Sequence, residues 1–208
     1  VKISKKFKTR LDFLDKIKEI SPNGKGAEIG VFKGQFSKEI LSRWEGTLYM
    51  VDVWRPLGNE YDDASNHSAH INSFAETMNS IDGFEDRAIM IRTQSKKASE
   101  IFADESLDFV YIDANHAYDF VVEDLNLWFP KLKKGGIFSG HDYLGINWYE
   151  DKFFAPNGKD KFIYLNSGED TVYAGTFGVN PAVDEFCQKY SYDLEVTEEW
   201  LGTWWLVK

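Results

Sequence analysis

The 208 residues predict an α/β fold: a three-layer sandwich with helices on both faces of a mostly parallel seven-stranded sheet that ends in an antiparallel C-terminal strand. Three features predict it. Short apolar runs alternate with segments whose apolar residues recur at helical spacing, the pattern of a βαβ series. The run Leu48-Tyr49-Met50-Val51 is apolar without interruption, as expected of a parallel strand buried on both faces. After Asp193 the chain turns β-rich around a Gly202 turn, which suits an antiparallel pair closing the sheet.

Leu11, Leu14, Ile17 and Ile20 place an N-terminal helix over 8–20, and Ser21-Pro22-Asn23-Gly24 stops it with turn formers and a residue lacking an amide donor. Ala27-Glu28-Ile29-Gly30-Val31 reads as a short buried strand, followed by a helix over 34–44 and a second strand over 47–53. Strands over 88–92, 107–113 and 136–140, with helices over 67–80, 95–102 and 117–129, continue the alternation. Residues 143–173 then read as an aromatic-rich insertion, after which a helix over 181–190 and strands over 193–197 and 203–207 resume the rhythm. With no internal repeat and no low-complexity linker, residues 1–208 read as a single domain of Rossmann-like organisation.

Lys plus Arg number 24 against 34 Asp plus Glu, a net charge of −10. A phosphate-tracking surface needs clustered positive charge, so no nucleic-acid partner is expected. The one basic run, Lys2, Lys5, Lys6, Lys8 and Arg10, reads as the solvated start of the first helix. A single cysteine, Cys187, excludes an internal disulfide and a multi-cysteine zinc site. No apolar run reaches the roughly 18 residues of a membrane span, and no signal-peptide pattern precedes the domain, so the expectation is a cytoplasmic protein with no membrane partner.

In an open parallel sheet, ligands bind beyond the carboxyl ends of the strands. There, Gly30-Val31-Phe32-Lys33-Gly34 sets two glycines four apart where the first strand meets its helix. Such a turn lets backbone amides approach an anionic group at a helix N-terminus. It is not the dinucleotide fingerprint, because after Gly24 and Gly26 the third glycine position holds Ile29, and no Walker Gly-Lys-Ser/Thr follows. Asp52, 22 residues beyond Gly30, stands where an acid accepts both ribose hydroxyls of a nucleoside, and Glu28 adds a second carboxylate. An acidic site without a pyrophosphate loop suits a nucleoside carrying an ammonium and a sulfonium, as S-adenosylmethionine does.

The order of elements, Ala-Glu-Ile-Gly-Val-Phe-Lys-Gly at 27–34 and Met-Val-Asp-Val-Trp at 50–54 resemble a class I S-adenosylmethionine-dependent methyltransferase over nearly the whole chain. By that resemblance Gly30 and Gly34 cradle the methionine moiety, Glu28 lies near its ammonium, Asp52 holds the ribose, Ser95 lies at the adenine, and Asp113 borders the cofactor. Tyr111-Ile112-Asp113-Ala114-Asn115-His116-Ala117-Tyr118 and Gly135-Gly136-Ile137-Phe138-Ser139-Gly140-His141-Asp142-Tyr143 are similar to the methyltransferase family 24 group. More distantly they resemble macrocin-type and catechol-type O-methyltransferases. In the catechol type a metal-binding aspartate is followed three positions on by a lysine base; here those positions are Asp113 and His116. The macrocin type has paired acids where this chain has His141-Asp142, so one carboxylate ligand is replaced.

Adjacent strands would bring Asp113, Asp142 and His141 to one divalent cation, of which Mg²⁺ suits carboxylate oxygens best. The implied chemistry is methylation of a small hydroxylated molecule or sugar, with Asp113 and a neutral His116 as catalytic residues and His116 taking the hydroxyl proton. The aromatic insertion (Tyr143, Trp148, Tyr149, Phe153, Phe154, Phe162, Tyr164) is a candidate lid or dimer contact, and residues 54–70, with His67 and His70, form a second loop on the same side. A homodimer is the candidate assembly. A metal-dependent hydroxylase on the same fold and a non-catalytic nucleoside-binding protein are the alternatives.

Overall fold

The computed structural model describes residues 2–5, 7–55, 72–144, 157–167 and 170–208. Its chain order is β1 (Ile3–Lys5), α1 (Arg10–Ile20), β2 (Lys25–Ile29), α2 (Gln35–Arg43), β3 (Thr47–Asp52), α3 (Ser73–Ser80), β4 (Ala88–Arg92), α4 (Ser95–Ser99), β5 (Leu107–Ile112), α5 (Tyr118–Trp128) and β6 (Leu132–Leu144). Then come β7 (Lys161–Ser167), β8 (Asp170–Phe177), α6 (Val179–Tyr190), β9 (Leu194–Val196) and β10 (Leu201–Val207). The main sheet runs β1-β9-β10-β6-β5-β2-β3-β4, and β7 pairs with β8 as a separate antiparallel ribbon. β6, β5, β2, β3 and β4 are mutually parallel, while β10 is antiparallel to both β6 and β9.

Both faces of the sheet are covered, as an all-apolar parallel strand requires. On one face Phe13, Leu14 and Ile17 of α1 and Phe36, Ile40 and Leu41 of α2 pack with Trp44, Tyr111, Ile137 and Trp205. On the other, Ala98 of α4, Val121, Leu125 and Trp128 of α5 and Val183, Phe186 and Cys187 of α6 pack against Ile29, Val110, Ile112 and Phe138. The free thiol of Cys187 is buried in that second layer, and burial pushes its pKa up to about 12. No helix among the described residues is long and apolar enough to cross a membrane.

The α/β class and the mixed sheet are as the sequence predicts; the strand count is not. The sheet has eight strands because Ile3–Lys5, read as part of a solvated helix start, pairs in parallel with Leu194–Val196 at the edge. The first helix begins at Arg10 rather than residue 8. Thr9 is its N-cap: its Oγ1 accepts from the Asp12 amide at 3.4 Å, while Asp12 Oδ2 accepts from the Thr9 amide at 3.0 Å. β6 extends to Leu144, so Tyr143 belongs to the sheet and not to the insertion. The insertion itself contributes the β7–β8 ribbon. Gly202 is not a turn but lies inside β10, beside the register shift between Gly202 and Trp204.

Candidate active site at the carboxyl ends of the central strands

β2, β3 and β5 all end at one edge, where Ile29 is in register with Val51 and with Ile112, and Ile112 with Gly140 of β6. A cavity of about 450 Å³ opens there. Its lining includes Ser95, Phe120 and Asp124, Asp52 and Gly30, and Glu28, Arg10, Phe36, Asp113 and His116.

One part of the wall is built around Asp52. Its Oδ2 accepts the amides of Val31 and Phe32, both at 2.8 Å, and its Oδ1 accepts the Trp54 amide at 2.7 Å. Phe32 (φ 56°) and Trp54 (φ 42°) sit in the left-handed region, which costs an L-residue on the order of 1–2 kcal/mol each. Asp52 holds them there together with the indole of Trp54 and the hydroxyl of Thr77, which donate to the Phe32 carbonyl at 3.1 and 2.9 Å. Gly30 has φ 89°, and a Cβ on it would overlap the Asp113 carbonyl. Gly34 (φ 75°) instead faces Thr77 of α3 and does not line the cavity. Of the two glycines read as a cradle, the structure brings only Gly30 to the site; Gly34 lets α2 and α3 approach.

Glu28 does line the cavity, but it is fully buried and accepts a hydrogen bond from Ser37 Oγ at 2.5 Å. Burial pushes its carboxyl up to about 8. Ser95 opens α4, donates to Asp124 and accepts the Trp128 indole N–H at 2.8 Å. Burial pushes the Asp124 carboxyl up to about 7. The sign of its linkage follows. Between pH about 4 and 7 the folded protein keeps a proton that the unfolded chain has lost, so this group's contribution to stability falls as pH rises through that window. Asp124→Asn removes the slope; at pH 8 the variant is expected to exceed the parent by on the order of 1–3 kcal/mol, with no difference at pH 4, in urea titrations.

Asp113 follows β5 and Asp142 lies in β6, which is how two carboxylates from adjacent strands converge. His116 Nε2 is 2.6 Å from Asp142 Oδ2 and 3.6 Å from Asp113 Oδ1. His141 Nδ1 is 3.3 Å from Asp142 Oδ1 and 3.8 Å from Asp113 Oδ2. Asp142 takes φ 59°, an unfavourable backbone for a non-glycine residue that turns its side chain to this cluster. Burial lowers the His116 pKa, but the two carboxylates outweigh it and hold the imidazole well above its usual value. For Asp142, burial raises the pKa, and the His116 charge overrides it, leaving the carboxyl well below its usual range. With the carboxylates bare, the facing charges thus favour the protonated imidazole.

Asp113, Asp142 and His141 each present a ligand atom within 4.8 Å of the others. Two carboxylate oxygens and an imidazole nitrogen are a donor set that fits a hard or borderline divalent cation, with the Arg10 guanidinium 3.9 Å from Asp113 as a neighbouring positive charge. The cavity also fits an oxygen-bearing ligand: the Asn115 side chain is buried on its wall, and its Nδ2 has no hydrogen-bond partner among the described residues.

Residues 27–143 match the methyltransferase-domain family known as methyltransferase family 24. The chain belongs to that family. No curated protein matches it by sequence. Among solved structures, this methyltransferase domain is similar to a candidate caffeoyl-CoA O-methyltransferase from Staphylococcus aureus (TM-score 0.65, 16% identity, covering 96% of this chain and 82% of that one). It is also similar to a Corynebacterium glutamicum protein (TM-score 0.61, 14% identity, 96% and 80%) and to a candidate rRNA methylase from Clostridium thermocellum (TM-score 0.60, 12% identity, 97% and 97%). At such identities these likenesses show the fold, the Rossmann-like methyltransferase fold.

Several residues at the site of the methyltransferase, Asp124, Phe36 and Phe120 among them, were not singled out from the sequence. Arg10 and Asn115 line the cavity. Phe177, at the end of the insertion's ribbon, stacks on the His116 ring with centroids 4.8 Å apart and planes 7° from parallel. Asp160 Oδ1 accepts the Tyr118 amide at 2.7 Å at the start of α5, and the Gly178 amide donates to the His116 carbonyl at 2.7 Å. The insertion thus braces the segment that carries His116. A signal existed only for Asn115, which lies inside the quoted Asp113–Tyr118 motif. Of the expected lid, Trp148, Tyr149, Phe153 and Phe154 lie outside the described residues, as do His67 and His70 of the second loop.

Proposed function

We propose that the protein is an S-adenosylmethionine-dependent O-methyltransferase acting on a small hydroxylated molecule or sugar, assisted by a divalent cation. The observation that supports this reading is the convergence of Asp113, His116, His141 and Asp142 beside a cavity of about 450 Å³ that Asp52 and Ser95 also line. Asp52, through its three amide bonds, fixes the turn against which the donor's ribose and amino-acid parts lie. Ser95 and Asp124 border the base.

S-adenosylmethionine supplies the electrophilic methyl group, and a cation on Asp113, Asp142 and His141 would supply charge to stabilise a developing alkoxide. The protein's own part is alignment and proton acceptance. Asp113 and His116 border the cavity. His116 Nε2 stands 2.6 Å from Asp142 Oδ2, so it accepts a hydroxyl proton only once that carboxylate has turned away. The facing carboxylates favour the charged imidazole; with their charge offset, burial favours the neutral imidazole that accepts the proton. Phe177 fixes the ring plane during that transfer.

Calorimetric titration with S-adenosylhomocysteine tests the reading. Binding at or below about 1 mM is expected, weakened about 10-fold or more by Asp52→Ala, whose three orphaned amides unfasten the turn. Absence of binding in the parent protein would overturn it. Binding and turnover that ignore Mg²⁺ would remove the cation alone.

A further inference from the structure

Resting on the reading of His116 as the group that accepts the hydroxyl proton, we infer that Asp160 is a positioning residue for that step: it caps α5 from a distant part of the chain and so holds the His116 imidazole in place. A helix start leaves backbone amides unpaired. α5 begins at Tyr118, and the residue before it, Ala117, has no side-chain acceptor to cap them. Asn115 Oδ1 is engaged by the Ala117 amide at 2.8 Å. The Tyr118 amide donates instead to Asp160 Oδ1 at 2.7 Å, across 42 positions of sequence.

Asp160 is itself fixed. It is buried, its Oδ2 accepts from Asn157 Nδ2 at 2.5 Å, and Asn157 Oδ1 accepts the Lys159 and Asp160 amides at 3.0 Å each. A carboxylate at a helix N-terminus also meets the positive end of the helix dipole. Asp160 immediately precedes β7 and Gly178 immediately follows β8, and the register of Lys161 with Phe177 brings both ends of the ribbon to one place. There the Gly178 amide donates to the His116 carbonyl at 2.7 Å, and the Phe177 ring lies flat on the imidazole. A Cβ on Gly178 would overlap Asp160 Oδ1 and the Tyr118 amide, so glycine is what lets the two ends close on residues 116–118.

The clamp matters because of what His116 gives up. Its Nε2 is 2.6 Å from Asp142 Oδ2, and it takes a hydroxyl proton only after that carboxylate has turned away. The ring then loses its short side-chain contact, with Asp113 Oδ1 standing 3.6 Å off. The Phe177 face and the bonds of Gly178 and Asp160 persist, and none of them occupies a ring nitrogen. They hold the base without competing for the proton. Misplacing a reacting group by about 1 Å costs up to about 10²-fold in rate, so a backbone clamp on this segment bears on the chemistry. The helix start has separate support for its stability: the Tyr118 hydroxyl donates to Glu185 at 2.5 Å, and Lys159 Nζ lies 5.5 Å from the Tyr118 ring centroid.

The test takes histidine-ring NMR spectra of the full chain as parent, Asp160→Ala, Asp160→Asn and Phe177→Leu, with His116→Gln identifying the His116 signal among the four histidines. The parent is expected to show His116 ring protons displaced by the Phe177 ring current, with cross-relaxation between the two rings. Asp160→Ala loses most of that displacement and the cross-relaxation, moving toward the position seen in Phe177→Leu. Its folding equilibrium weakens by about 5- to 30-fold in urea titrations, and its affinity for S-adenosylhomocysteine stays within about threefold of the parent's. Asp160→Asn, which keeps an oxygen for the Tyr118 amide, lies nearer the parent. Unchanged His116 signals in folded Asp160→Ala overturn the inference and leave Asp160 a cap that stabilises without positioning; so does an equal loss in Asp160→Asn and Asp160→Ala. Should Asp160→Ala not fold, Asp160→Glu, whose longer side chain shifts the cap and keeps the charge, takes its place under the same criteria. The underlying reading fails separately, through absent S-adenosylhomocysteine binding in the parent or full turnover in His116→Gln.

Discussion

Replacing His116 is expected to cut methyl transfer by about 10² or more while S-adenosylhomocysteine affinity stays within about threefold, which separates the chemistry from the donor site. The geometry carries this. His116 Nε2 lies against Asp142 and Asp113, whereas the donor contacts proposed above are Asp52, Ser95 and Asp124. Alanine would also leave Asp142, one of the most buried carboxylates, without its charged partner, and such an orphan costs several kcal/mol. His116→Gln is therefore the better variant, because it keeps a polar group against Asp142 and the flat contact with Phe177. Asp113→Asn and Asp142→Asn should each abolish any dependence of turnover on Mg²⁺, measured as rate against metal concentration at saturating donor. If His116→Gln weakened donor binding and spared turnover, the roles would be reversed.

How far the sequence carries this reading depends on how local the determining interactions are. β4 coincides with the strand read from the sequence, Ala88–Arg92, because an apolar run flanked by polar turns is a local signal. β1 was illegible for the opposite reason. Ile3-Ser4-Lys5 holds one apolar residue, and its partner Leu194–Val196 lies almost the whole chain away. Only that distant pairing turns a basic, apparently solvated segment into an edge strand and thereby places Arg10 in the site. The ribbon of β7 and β8 was hidden similarly, since its aromatic-rich sequence shows no clean alternation.

At the site, residue type and strand-end position sufficed to bring Asp113, His116, His141 and Asp142 together. They did not suffice for protonation. Glu28 and His116 are shifted by different surroundings: desolvation raises the carboxyl, and two facing carboxylates raise the imidazole against its burial. Nor could spacing distinguish Gly30 from Gly34. Both take positive φ, but what each touches belongs to a different layer of the fold.

That difference yields the largest expected effect on stability. Gly30→Ala should destabilise the fold by about 3 kcal/mol or more and remove measurable donor binding. Two costs combine: the left-handed backbone at φ 89°, and overlap of the new Cβ with the Asp113 carbonyl and the Ala114 backbone. Neither strand can yield cheaply. The Gly30 amide donates to the Val51 carbonyl at 2.9 Å, and the Asp113 amide donates to the Ile29 carbonyl at 2.7 Å, so β3, β2 and β5 are tied together at this level. Any shift that relieves the overlap moves Asp113 away from His116 and widens the turn held by Asp52. Gly34→Ala meets a softer neighbour, a Thr77 methyl 3.0 Å from the new Cβ, and should cost about 1–2 kcal/mol with donor affinity retained. Urea midpoints and calorimetry on the two variants decide between these roles. Loss of binding in Gly34→Ala with a modest change in midpoint would return Gly34 to the ligand's surface, where its spacing from Gly30 first suggested it.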